Sequence, residues 1–102
     1  MIENVFEELK GIGAVTSGSD FSEQWLGMEA SYYRGLRAKQ RDPSVRALAN
    51  CAVRLRGRAG ILQRSAYPQI RLAAQRYQVL AEQCLNGLLA ACDGERGGNE
   101  GV

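Results

Sequence analysis

Ile70, Tyr77, Cys84 and Ala91 recur at intervals of seven, with Ala73 or Ala74, Leu80 or Ala81, and Leu88 at the intermediate positions. A period near 3.5 lines one face of an α-helix, whereas a strand alternates with period two. The stripe covers about 24 residues, roughly 36 Å of helix at the usual rise. So long a helix either packs across the rest of the chain or pairs with its counterpart in a second copy. Its opposite side is mostly Arg, Gln and Glu, which leaves one side to bury. Ile70, Tyr77, Leu80, Cys84 and Leu88 are therefore expected to form a dimer contact.

The other segments also read as helices. Ile2, Val5, Phe6, Leu9 and Ile12 recur at steps of three and four, and Gly11 and Gly13 close that run. After the loop composition Thr16-Ser17-Gly18-Ser19, either Ser19 or Asp20 is the expected cap of a second helix running to Leu26, with Glu23 completing a capping box. Phe21 and Trp25 lie one turn apart on it and are expected in the core. Gly27 suits a left-handed exit.

A third helix is expected from Glu29 or Ala30, with Ala30, Tyr33 and Leu36 inward and Ser31, Tyr32, Arg34, Gly35 and Ala38 outward. Pro43 disfavours helix in the residue before it, and Ser44 can cap a fourth helix with the stripe Val45, Leu48, Ala49, Ala52 and Leu55. That helix is expected to end between Gly57 and Arg64. The last one should start between Ser65 and Gln69, with Pro68 in its first turn. Residues 93–102 hold four glycines and no apolar pattern, the composition of a disordered tail. The expected organisation is an all-α fold of about five helices: a head over residues 1–64, a C-terminal helix over 65–92, and the tail.

The net charge of +2 hides a segregation. Between Ala30 and Ala81 stand eleven Arg or Lys and the single acid Asp42, a balance of +10. Residues 1–29 balance to −5 and residues 82–102 to −3. A positive field concentrated in one region suits a polyanion, and Arg suits bidentate contacts to phosphate or guanine.

The chain has no histidine, which removes Cys-His zinc sites and Ser-His or Cys-His nucleophile pairs. The carboxylates have no paired spacing, so neither an enzyme nor a metal or other cofactor is expected. The three cysteines, Cys51, Cys84 and Cys92, read as small apolar fillers. No stretch approaches the roughly 20 apolar residues of a membrane span, and residues 1–10 do not read as a signal peptide. A cytoplasmic protein without membrane contact is the expectation.

From Leu26 to Leu55 the chain reads LGMEASYYRGLRAKQRDPSVRALANCAVRL. Leu26-Gly27, Tyr33, Leu36, Pro43-Ser44, Leu48, Ala52 and Leu55 fall where helix-turn-helix domains of the Cro and lambda-repressor type place residues of the same kind, and the segment resembles that family. It departs from it at two points. Phe21 lies five residues before Leu26 where the family has a four-residue step, so this turn is expected to be one residue longer or rotated. Ala38-Lys39 also stands where the family often carries Gly.

The resemblance implies a sequence-specific regulator of transcription that binds double-stranded DNA, of the kind bacteria and their mobile elements encode. It puts Glu29, Ala30, Ser31, Tyr32 and Gly35 at base-reading positions. Base contacts then fall to Ser31, Tyr32 and Arg34. Backbone contacts fall to Arg37, Lys39, Gln40 and Arg41, to the N–H groups at Ser44 and Val45, and more weakly to Ser19. A homodimer is implied, because one recognition helix reads few base pairs. The rival is a protein-interaction module, a degenerate helix-turn-helix docking on another regulator or on RNA polymerase. Ala30 and Gly35 favour it, and the +10 segment disfavours it. Architectural DNA binding without base readout is a third possibility.

Overall fold

The computed structural model of the chain describes residues 1–99, with side chains described through residue 91. It is all-α, with no strand among the described residues. Helix α1 (Ile2–Gly11) is followed by α2, which begins as one α-turn (Gly18–Asp20) and continues as a π-turn (Phe21–Trp25). Then come α3 (Tyr32–Lys39), α4 (Val45–Gln63) and α5 (Pro68–Asn99).

Each helix starts where local chemistry allows. Ser17 caps α2, its hydroxyl accepting the Asp20 N–H at 3.1 Å, while the Asp20 carboxylate reaches back to the Thr16 N–H at 3.0 Å. This reciprocal box lies upstream of the expected Ser19 or Asp20 cap, because Ser17 has the extended backbone a capping residue needs. Ser44 caps α4 through the Ala47 N–H. Pro68 opens α5, where its missing N–H costs nothing. Helix α5 continues to Asn99, past Asp93 where the sequence predicts a tail. The last part of that expected tail, residues 100–102, lies outside the described residues, as does the side chain of Cys92.

Three rings lock the head. Phe6 from α1, Phe21 from α2 and Tyr33 from α3 meet with centroid separations of 4.7 to 5.3 Å, a tilted arrangement that aromatic quadrupoles favour. Ile12, expected in the α1 stripe, is instead exposed, since α1 ends at Gly11 and Gly13 turns the chain away at φ 78°.

The long α5 packs on its own chain. It lies antiparallel to α4, with Leu48 near Gly87 and Cys51 against Cys84. On another side Asn4 and Glu8 of α1 reach Gln83 and Arg76. Tyr77, Leu80 and Cys84 are buried within this one chain, and Leu88 packs partly buried against the same core. Those four are therefore not a free dimer face, and only Ile70 of the expected set is exposed. The reason is the length of α4, which at 19 residues gives the stripe a partner in cis. Cys51 and Cys84 are free thiols that fill this seam; their hydrogen bond and the burial push Cys51 up, and the same bond pulls Cys84 down.

Trp25 stacks on Tyr77 at 6.1 Å and has the Arg58 guanidinium over its ring at 6.0 Å, so it joins α2 to both long helices. Trp25→Ala is expected to lower unfolding stability by about 3–5 kcal/mol in urea titration. An undestabilised variant would contradict this packing.

Candidate nucleic-acid interface

Helix α2 does not keep regular α-helical hydrogen bonding to its end. The Leu26 N–H bonds the Phe21 carbonyl at 3.1 Å, five residues back, so α2 takes in an extra residue as a π-turn. A widened turn leaves carbonyls to satisfy, and α4 supplies donors. Arg54 Nη1 donates to the carbonyls of Glu23 and Gln24 at 3.0 and 2.9 Å, and Asn50 Nδ2 to that of Leu26 at 2.9 Å. Gly27 follows at φ 65°, and a Cβ there would stand 2.6 Å from Asn50 Nδ2. Both the dihedral and the close approach call for glycine.

Ser22 then sets the start of α3. Fully buried, it donates to the Gly18 carbonyl at 2.8 Å and accepts the Tyr33 N–H at 2.9 Å. One hydroxyl thus ties the first turn of α2 to an otherwise unpaired N–H of α3. The helix begins at Tyr32 rather than at Glu29 or Ala30, and Ala30 is exposed in the turn rather than inward. Tyr33 and Leu36 point inward as the spacing predicts. The Tyr33 hydroxyl is buried without a hydrogen-bond partner among the described residues; burial raises its pKa, and the nearby Arg37 charge lowers it part of the way back.

At its far end α3 stops on Gln40, which takes the left-handed conformation at φ 52°. Its N–H and that of Arg41 return to the carbonyls of Leu36 and Arg37. This is the position where a glycine costs least, so the chain leaves the helix by a strained non-glycine residue.

Ser31, Tyr32, Gly35, Lys39 and Arg41 line one hollow on the outer side of α3, together with Glu29. Arg34 and Arg37 line a second hollow toward α1 and α2, with Gly18 and Tyr33. Gly35 has open space above it. Two expected contact residues are already engaged. The Tyr32 hydroxyl accepts the Ser44 N–H at 2.9 Å and lies 3.3 Å from the Ser44 Oγ, so it holds α3 to the start of α4 and is half-buried. The Ser44 amide is therefore not free for a phosphate, and its hydroxyl is the α4 cap. Ser19 is exposed in the first turn of α2, with the capping role taken by Ser17.

Four of the eleven central cations serve the fold or sit beside it: Arg54 caps α2, Arg58 covers Trp25, Arg76 pairs with Glu8 at 3.2 Å, and Arg37 lies by Tyr33. Arg34, Lys39, Arg41 and Arg46 are exposed, with no ion pair to another described residue. Arg46, one turn into α4 beside Ser44, belongs with this set. Only the charge count pointed to it, because the resemblance to Cro-type domains gave it no role. Among the described residues no cluster of metal-ligating side chains occurs.

The chain belongs to a family of unknown function, DUF6626, whose model matches residues 2–96. No curated protein and no solved structure matches it.

Gln40→Gly is expected to raise stability by about 0.5–1 kcal/mol in thermal unfolding, by relieving the left-handed strain. Ser22→Ala should lower it by about 1–3 kcal/mol, because the Tyr33 N–H is left buried and unpaired. The exposed Ser19→Ala serves as its neutral control, and equal effects of the two serine variants would contradict the bridge.

Proposed function

We propose that this protein is a sequence-specific regulator of transcription, of bacterial or mobile-element type, that binds double-stranded DNA as a homodimer. The observation that carries the reading is the outer face of α3. It is short and small in side chain at Ser31 and Gly35, with Lys39 and Arg41 in the same hollow; Arg34 and Ala38 line the neighbouring hollow toward α1 and α2, and Arg46 lies beyond Ser44. A helix with such a face can approach base edges closely while the cations take the flanking phosphates. Arg34 is the group able to fork onto a guanine. Ser31, whose hydroxyl donates to the Glu29 carboxylate at 3.4 Å, exchanges that bond for one to a base, and the Tyr32 ring offers a sugar or methyl contact while its hydroxyl holds Ser44. Arg37, Lys39, Gln40 and Arg41 contact the DNA backbone. Placing α3 across a groove also uses the clamp of Asn50 and Arg54 on α2, since a recognition helix must be held rigidly by its neighbour.

The protein-interaction rival gains from one observation: Glu29 stands in the same hollow, hydrogen-bonded to Ser31 at 3.4 Å, where its charge repels phosphate. A DNA titration separates the readings. With duplex from the gene's own upstream region and a scrambled control, Arg34→Ala should cut discrimination by about 1–3 kcal/mol. Arg41→Ala should weaken both duplexes alike and reduce the salt slope by about one. Equal losses on both duplexes from Arg34→Ala refute its base-reading role, and no DNA binding by the wild type favours the interaction module.

A further inference from the structure

The bend between α4 and α5 gathers four large, exposed apolar side chains. Ile61 and Tyr67 are each 66% exposed, Leu72 is 62% exposed and Ile70 is 38% exposed. All four lie within about two helical turns of the connector formed by residues 64–67. Their neighbours are basic: Arg64 and Arg71 are exposed, with no ion pair to another described residue. No acid occurs anywhere between Asp42 and Glu82.

The shape of this tip decides what can cover it. The corner of a helical hairpin is convex, and its apolar side chains do not share one face. Ile61 borders a hollow with Trp25 and Arg58 on the α2 side. Leu72 points about 200° around α5 from Ile70. A rigid flat surface would reach one or two of these groups. A soft, layered medium reaches all of them, solvating the aliphatic side chains in its outer hydrocarbon while a tyrosine and arginines stay at the headgroups. Among the described residues no helix is long and apolar enough to cross a bilayer, and the contact considered is a peripheral one.

We propose that the α4–α5 tip is a peripheral docking site for an anionic lipid surface, inserting Ile61, Tyr67, Ile70 and Leu72 while Arg64 and Arg71 meet the headgroups. The partner is anionic because the tip carries cations and no acid, and each exposed basic residue adds attraction within a Debye length of such a surface. Nineteen residues of α4 separate the tip from Ser44, about 28 Å of helix. Tip and α3 face can therefore be occupied independently, and this inference does not rest on the DNA reading.

Cosedimentation of the full chain with vesicles tests it, comparing phosphatidylcholine alone with phosphatidylcholine containing about a third phosphatidylglycerol, where polybasic attraction is strong. Association with the anionic vesicles should exceed that with neutral ones by about tenfold or more. The doubles Tyr67→Ser with Leu72→Ser and Arg64→Gln with Arg71→Gln should each lose that association while keeping the helical circular dichroism and thermal unfolding midpoint of the wild type. Lys39→Gln with Arg41→Gln should bind vesicles as before. No association with either vesicle overturns the proposal and leaves the tip to an acidic protein partner. Association that survives the tip variants but falls with the Lys39 and Arg41 changes also overturns it, because the α3 face would then be responding to charge alone.

Discussion

The hydrogen bonds from Asn50 and Arg54 to the end of α2 are the constraint on which the rest of this molecule depends. Helix α2 carries one residue more than a regular turn accepts, and the π-turn that absorbs it leaves carbonyls pointing out of register. Left unsatisfied, the part-buried one on Leu26 would cost on the order of 1–3 kcal/mol, while those of Glu23 and Gln24 lie at exposed positions. Two side chains of α4, one turn apart, satisfy three of them. That fixes where Gly27 redirects the chain, and Ser22 then determines where α3 begins. Arg54 looks like one more member of a basic surface in the sequence, yet its geometry makes it a fixed part of the scaffold.

The long helices provide the base for this arrangement. Helix α4 presents one side to α2 and another to α5, and α5 in turn receives α1 through Gln83 and Arg76. The head is thus braced on two helices that extend past it, and their bend stands clear with its apolar residues uncovered. The same division separates the charges. Arg54, Arg58 and Arg76 are bound to the fold, while Arg34, Lys39, Arg41 and Arg46 gather around α3 and the start of α4.

Helical periodicity made the all-α architecture legible, because apolar stripes of period near 3.6 leave little else for a chain of this size. Gly27, Ser44 and Pro68 also act as their chemistry predicts. The spacing at α2, set beside the Cro-type pattern, left a longer or a rotated turn open, and the structure has a π-turn there. What could not be read was local backbone geometry and anything set by a partner distant in sequence. Ser17 rather than Ser19 caps α2 because of backbone geometry, and the Tyr32 hydroxyl is committed to Ser44 because the next loop brings them together. The stripe on α5 looked like a dimer seam because periodicity records that a face is buried and not by whom; Tyr77, Leu80 and Cys84 are covered by this chain's own helices. Gln40 in a left-handed conformation gave no sequence signal, since glycine is the residue that announces such a turn.

Backbone amide shifts, recorded by NMR as the protein is titrated with duplex from its own upstream region, test the central claim that α2 and α4 hold α3 as a DNA-reading element. The account predicts that perturbations concentrate at residues 31–41 and at the first turn of α4 near Arg46, while the amides of Ser22, Gly27 and Tyr33 stay in place because the clamp does not move. Perturbations confined to the α4–α5 tip, or none at all with this duplex, would contradict it.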